Sequence, residues 1–279
     1  MSKLLGVTLD LRAARQEALW LLEKVTGLSH AQLLLRGIVL SAQQKFLLEK
    51  LVSDRVDKKK PLQYILGSVP FCDLEILVEP PILIPRPENE EWTCWLIDLI
   101  KKEHAEDISI ADVCSGSGCI GLALAKHLSS SRVIGLDISD QAVDLACRNK
   151  AASGVANYEV FVSDLFDNID PKIKFDLIVS NPPYLTEQEY REIDASVSEW
   201  EDKRALVTGN DGLAIYEQLV TQARARLSET RNVALPALVC EIGPAQKDKI
   251  INVMLNAGFA KADLISDLQG VSRIAVAYV

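Results

Sequence analysis

The chain has 279 residues, of which 48% are hydrophobic and 25% charged, with a net charge of −9; this is the make-up of a globular protein with one or two cores. No apolar run reaches the roughly 20 residues of a membrane span, and Met1 to Gly6 lacks a signal peptide's apolar core and cleavage site, so a cytoplasmic location without membrane contact is expected. The six cysteines contain no C-x-x-C pair, and His30, His104 and His127 are too few for a zinc site or a histidine-based triad; reduced thiols and no metal are expected.

Through residue 66 no strand pattern occurs. Leu19, Leu22 and Val25, and later Phe46, Leu47 and Leu51, recur at helical spacing, with turn signals at Thr26-Gly27 and Arg36-Gly37. The spacing predicts a small helical domain over residues 1–68, with Lys58-Lys59-Lys60-Pro61 as a solvated connection. Residues 1–70 hold 11 Lys/Arg against 6 Asp/Glu, about +5, which leaves −14 on the remainder. An acidic main domain is poorly suited to gripping a phosphate backbone, so no stable nucleic-acid partner is expected. Residues 69–86 alternate and are punctuated by proline, as a β-hairpin linker would be.

From residue 87 the pattern alternates between strand and helix. Pro87 with Glu88, Glu90 and Glu91 makes a helix start, since proline fits the first turn and carboxylates favour the positive end of the helix dipole. Strands are predicted at 108–114, 132–137, 158–162, 175–180, 235–242, 261–265 and 272–278, and helices at 119–129, 140–153, 211–228 and 245–257. The fold expected for 87–279 is α/β: a Rossmann-like, mostly parallel sheet covered on both faces, with its last strand antiparallel.

Gly116, Gly118 and Gly121 form a G-x-G-x-x-G loop between the first of these strands and its helix. Glycines permit the tight turn, and free amides at the helix start face a ligand. Asp137 ends the next strand, 21 residues past Gly116, where an acceptor for ribose hydroxyls belongs. Asp164 ends the third strand and is placed to accept from an adenine amino group, with Leu165 and Phe166 walling the ring; an Asp that merely caps a turn reads the same way. Loop and acid describe a nucleoside pocket without separating a nicotinamide dinucleotide from S-adenosylmethionine.

The fourth strand separates them. Phe175 to Ser180 is an apolar, β-branched run that ends in Asn181-Pro182-Pro183-Tyr184. The prolines forbid continuation, so Asn181 falls at the carboxyl end of a buried parallel strand, the edge where open α/β sheets bind ligands. There the Asn181 side-chain oxygen and the Pro182 carbonyl can both accept from one NH2 group, with Tyr184 stacked on its flat conjugated system. A hydride-transfer enzyme has no use for that clamp; a methyltransferase acting on a planar nitrogen does.

Taken together, these residues resemble the HemK/PrmC family of S-adenosylmethionine-dependent glutamine methyltransferases. The resemblance covers essentially the whole chain: Gln63-Tyr64-Ile65-Leu66-Gly67, Ile84-Pro85-Arg86-Pro87-Glu88, the glycine loop, Asp137, Asn181 to Tyr184, Gly209 to Leu213, Glu241-Ile242-Gly243 with Gln246, and Gly270 followed by Arg273. It implies methylation of the Gly-Gly-Gln glutamine of peptide-chain release factors. It implies further that Cys114, Ser115, Gly116, Ser117, Gly118, Asp137 and Leu165 line the cofactor pocket, joined by Asp164 and Asn181, and that Asn181, Pro182, Pro183 and Tyr184 hold the glutamine amide, with Asn181, Pro182 and Tyr184 catalytic. It also makes residues 1–68 the substrate-recognition domain. Three departures stand out. Cys114 replaces a common glycine and is expected to keep the loop's shape through a negative φ, while Asn89 and Asp202 replace Thr and Pro, which weakens any role for residues 89 and 202. A sister branch modifies a ribosomal-protein glutamine, and adenine-N6 nucleic-acid methyltransferases use related clamps; Ile84 to Glu88 favours the release-factor branch.

Overall fold

The computed structural model describes residues 10–35, 38–209, 211–229, 232 and 234–279. The expected turn at Arg36-Gly37, the Met1 to Gly6 segment and Asn210 lie outside them. The chain forms two compact units, one comprising residues 1–69 with Asp194–Trp200 and the other residues 70–193 with 201–279.

The first unit is helical: α1 (Leu11–Thr26), α2 (His30–Leu35), α3 (Ala42–Val56) and α4 (Leu62–Leu66). Asp10 and Ser41 cap α1 and α3 with their side chains, and Gly27 and Gly67 end α1 and α4 in the left-handed conformation. The core is small, built on Ala14, Leu21, Leu62 and Ile65. Phe46 and Leu47, two of the helically spaced apolar residues, are 72% and 41% exposed. The α3 helix contributes Leu48, Leu51, Val52 and Val56 to the core only partly, so its apolar residues outnumber the positions that face inward. Glu17 is buried on α1 and takes both the Nε and Nη2 bonds of Arg55, at 3.0 and 2.9 Å, as a buried carboxylate must. Trp200 donates its indole N–H to the Lys58 carbonyl at 3.0 Å and receives the Lys60 ammonium over its ring. The lysine run is thus partly occupied in packing a segment that arrives from far along the sequence.

Strands β1 (Ser68–Phe71) and β2 (Leu74–Leu77) make the hairpin, shorter than the sequence pattern suggested because residues 78–86 run irregularly through three prolines. Its turn residues Cys72 and Asp73 both have positive φ, 44° and 61°, the twist that a two-residue hairpin turn requires.

The second unit contains α5 (Pro87–Lys102), β3 (Ser109–Val113), α6 (Cys119–His127), β4 (Arg132–Asp137), α7 (Asp140–Ser153), β5 (Tyr158–Val162), β6 (Leu177–Ser180), α8 (Glu187–Glu192), α10 (Ala214–Arg226), β7 (Leu238–Glu241), α11 (Lys247–Asn256), β8 (Lys261–Ser266) and β9 (Ser272–Tyr278); α9 (Ala195–Ser198) belongs to the first unit. The seven-stranded sheet has the order β5-β4-β3-β6-β7-β9-β8, parallel except for β9, which lies antiparallel between β7 and β8. From β3 the chain winds outward through β4 to β5, then returns to pair β6 on the other side of β3. That reversal opens a crevice at the carboxyl ends of β3 and β6. Strands β3, β6 and β7 are almost wholly buried, which is why they read as continuous apolar runs.

Candidate active site

The crevice is a cavity of about 330 Å³ whose walls come from the carboxyl ends of four strands: Cys114 and Gly116 after β3, Asp137 to Ser139 at β4, Ser163 to Leu165 after β5, and Asn181 and Pro183 after β6. Its volume lies in the range of small-molecule sites, roughly 300–1,000 Å³.

The glycine loop is pinned from below. Ser115 N–H donates to the Leu136 carbonyl at 3.0 Å, and Gly116 N–H donates to Asp137 Oδ2 at 2.7 Å. Asp137 Oδ1 accepts from Ser139 N–H at 2.9 Å. Each carboxylate oxygen thus spends one lone pair on a backbone N–H, Oδ2 on the glycine loop and Oδ1 on the turn after β4, and keeps another for a guest. Burial raises the Asp137 carboxyl above its ordinary range, while the Ser139 and Gly116 amides pull it back. Gly116 has φ +55°, and a Cβ built there would meet no heavy atom within 4 Å, so the backbone stands open where a ligand approaches. These features fit a nucleoside-type ligand.

Cys114 has φ +61°, not the expected negative value. The loop keeps the left-handed turn that glycine would adopt freely, and the thiol accepts the strain rather than reshaping it. Ser115, Ser117 and Gly118 do not border the cavity: both serines are buried, and the Ser117 carbonyl accepts from Asn149 Nδ2 at 2.9 Å. Asp164 is exposed at the rim, and it is its backbone carbonyl, not its carboxylate, that closes the following turn with Asp167 N–H at 3.0 Å. Leu165 is buried with φ 45°.

Ser180, the last residue of β6, donates its hydroxyl to the Val113 carbonyl at 2.7 Å, fixing the strand end from which Asn181 leaves. Among the described residues no protein donor engages the Asn181 side chain or the Pro182 carbonyl. Pro182 is buried, Asn181 and Pro183 border the cavity, and Tyr184 is partly buried behind them. Leu185 then exchanges bonds with the 206–208 segment, its N–H to the Leu206 carbonyl at 2.8 Å and its carbonyl from Thr208 N–H at 3.0 Å. Burial lifts the Tyr184 phenol to about 12, with the Glu241 carboxylate adding to the rise.

Residues 89 and 202, which the sequence left without a role, both have one. Asn89 is 2% exposed; its Oδ1 accepts from Arg86 N–H at 3.1 Å and its Nδ2 donates to the buried Glu241 carboxylate. Asp202 borders the cavity, donates its N–H to the Pro81 carbonyl at 2.7 Å, and pairs with Arg204 at 2.6 Å. Glu201 beside it takes both terminal bonds from Arg86 Nη2, at 2.7 and 2.6 Å.

Comparison with known proteins gives the family of the chain. A family profile described as "PrmC N-terminal domain" matches residues 8–67, and one described as "Methyltransferase small domain" matches residues 91–199. A release factor glutamine methyltransferase from Thermodesulfovibrio yellowstonii is 31% identical over 94% of this chain and 91% of that protein, and one from Geobacter sulfurreducens is 33% identical over 94% and 88%. One from Fusobacterium nucleatum is 36% identical, over 80% of this chain and 61% of that longer protein. The chain belongs to the release factor glutamine methyltransferase family.

Solved structures agree on the fold of this methyltransferase. The catalytic domain of hMettl16 superposes with a TM-score of 0.55 at 15% identity, covering 87% of this chain and 83% of that one. A ribosomal protein L11 methylase from Lactobacillus delbrueckii subsp. bulgaricus does so with a TM-score of 0.50 at 20% identity, covering 73% and 84%. Among the described residues no cluster of metal-ligating side chains occurs, and no helix is long and apolar enough to cross a membrane. Sequence reading missed the cavity wall supplied by Ile82, Arg204, Ala205, Val207 and Thr208, because these residues lie outside every strand end and loop that carries a motif.

Proposed function

We propose that this chain transfers a methyl group from S-adenosylmethionine to the side-chain amide nitrogen of the glutamine in the Gly-Gly-Gln motif of peptide-chain release factors, and that it does so in the cytoplasm. One observation carries the reading: Asn181 borders a nucleoside-sized cavity at the end of β6, its side-chain oxygen and the neighbouring Pro182 carbonyl meet no donor among the described residues, and an aromatic ring, Tyr184, follows two residues on. When bound, S-adenosylmethionine supplies an electrophilic methyl group on a sulfonium; Cys114, Gly116, Asp137, Asp164 and Leu165 would hold it, with Asn181 at the inner edge.

An amide nitrogen is a poor nucleophile because its lone pair is delocalised into the carbonyl. Accepting both of its N–H bonds fixes the rotation of the NH2 group and aims the lone pair, an orientation effect that supplies several kcal/mol of the barrier. The same two acceptors stabilise the positive charge that develops on nitrogen, which is preorganised electrostatics aimed at a cation. Two consecutive prolines keep the acceptors from turning away, since each ring locks its φ. Tyr184 supplies a flat wall for the amide plane. The helical first unit is the part of the chain left to recognise the release factor.

The test offers S-adenosylmethionine with a labelled methyl group alongside a release factor, a ribosomal protein or DNA, followed by mass mapping of the product. Label on the Gly-Gly-Gln glutamine is expected. Label only on the ribosomal protein or on adenine would overturn the substrate assignment.

A further inference from the structure

The last residue of the clamp is held from a different strand. Strands β6 and β7 pair in parallel, Ser180 opposite Cys240, so their carboxyl ends emerge side by side. After β7 the chain turns through Ile242 and Gly243 into α11, and the Gln246 N–H closes that turn on the Gly243 carbonyl at 3.1 Å. Gln246 is 1% exposed. Its Nε2 donates to the Tyr184 backbone carbonyl at 2.9 Å, while its Oε1 has no partner among the described residues. The orientation of the amide is decided by that contact, because the flipped form would set two oxygens against each other.

Space for this amide is cleared by two glycines from two different loops. A Cβ on Gly243 would lie 2.4 Å from Gln246 Oε1 and 2.8 Å from Tyr184 Cδ2. On Gly212, at φ +72°, it would lie 2.3 Å from Gln246 Nε2 and 2.5 Å from the Tyr184 carbonyl. Burying an unpaired amide oxygen is costly, and filling the volume with an apolar side chain would avoid it. What Gln246 does that no apolar residue can is donate to the Tyr184 backbone.

We propose that Gln246, seated between Gly212 and Gly243, is a positioning residue: it fixes the Tyr184 backbone and thereby the direction of the Asn181 to Tyr184 clamp, without touching the substrate or the cavity. The proposal rests on the reading that this clamp holds the acceptor amide.

Gln246→Met tests it, since methionine keeps nearly the same volume, removes the donor and also removes the orphan acceptor. Methyl transfer to a release factor is measured for wild type, Gln246→Met and Asn181→Ala, with thermal midpoints and S-adenosylhomocysteine affinity by calorimetry for each. The expected result is a kcat lower by about 10- to 100-fold in Gln246→Met, KM for the release factor changed much less, and cofactor affinity and thermal midpoint retained. If Gln246→Met keeps wild-type kcat while Asn181→Ala loses it, Gln246 is packing and this inference fails alone. If Asn181→Ala also keeps its turnover, the clamp reading fails and the inference with it. A loss of kcat matched by a collapse of thermal midpoint or cofactor affinity also overturns it.

Discussion

Asn181 and Cys114 border one cavity but answer to different demands. No donor among the described residues satisfies the Asn181 side chain, which on the proposed reading is left for a guest. On that reading Asn181→Ala is expected to lower turnover by at least about 100-fold, the scale of removing one preorganised electrostatic partner, while S-adenosylhomocysteine affinity by calorimetry falls far less. Near-wild-type turnover would remove Asn181 from the reaction. Cys114 is under conformational strain instead, at φ +61°. Glycine relieves the left-handed penalty but adds freedom to the unfolded chain, so Cys114→Gly should raise unfolding free energy by roughly 0.5–1 kcal/mol, read as a higher urea midpoint at constant slope. A lower midpoint would show that thiol packing outweighs the strain.

At the scale of elements, the glycine loop depends on a ring that enters from the edge of the sheet. Tyr158 opens β5 and is fully buried, with its ring crossing beneath the loop. A Cβ on Gly135 of β4 would lie 2.2 Å from the Tyr158 hydroxyl and 2.9 Å from its Cζ; on Gly121 of α6 it would lie 2.5 Å from Tyr158 Cε2. These glycines are therefore demanded by a neighbour as much as by the cofactor loop. Gly135→Ala should cost roughly 1–3 kcal/mol as overpacking, and the cost should shrink in a Tyr158→Leu background. Denaturant unfolding of the double-mutant cycle measures the coupling, and strict additivity would show that the ring is not the obstacle.

At the scale of the whole molecule, two of the buried carboxyls, Asp112 and Glu241, have titrations that bear on global stability. Burial pushes Asp112, at the foot of the glycine loop, up to about 7, opposed by its bond from Gly121 N–H and assisted by Asp137. Burial likewise pushes Glu241 up to about 7, opposed by Trp92 and Arg273. In the unfolded chain both lose their protons near pH 4. Between about pH 4 and 7 the native state therefore binds more protons than the unfolded state, so unfolding free energy falls as pH rises through that window. Their contribution is fully present below pH 4 and is lost above 7. The lowered carboxyls Asp194, Asp202 and Asp267 act in the opposite direction, at the acid end. The thermal midpoint should be lower at pH 8 than at pH 5.5, and Asp112→Asn, which preserves an acceptor for Gly121, should narrow that difference. An Asp112→Asn profile parallel to wild type would exclude Asp112 as the source.

Much of this architecture was legible in the amino-acid order alone. The strands at 132–137, 158–162 and 272–278 and the helix at 140–153 fall where periodicity placed them, because local pattern and burial agree in a sheet covered on both faces. The cavity's glycine loop and its acids were legible too, since each lies at a strand end marked by a change of composition. Tertiary structure alone decided what depends on distant partners: that β9 inserts between β7 and β8, that Asp194–Trp200 joins the helical unit, and that Phe46 and Leu47 face outward. It decided also that Cys114 is left-handed, that Asn89 reaches Glu241, and that Gln246 holds Tyr184 across 62 residues of chain. Periodicity reports which side of an element is apolar; it carries no information about which neighbour meets that side, and those contacts exist only once the sheet order has been set.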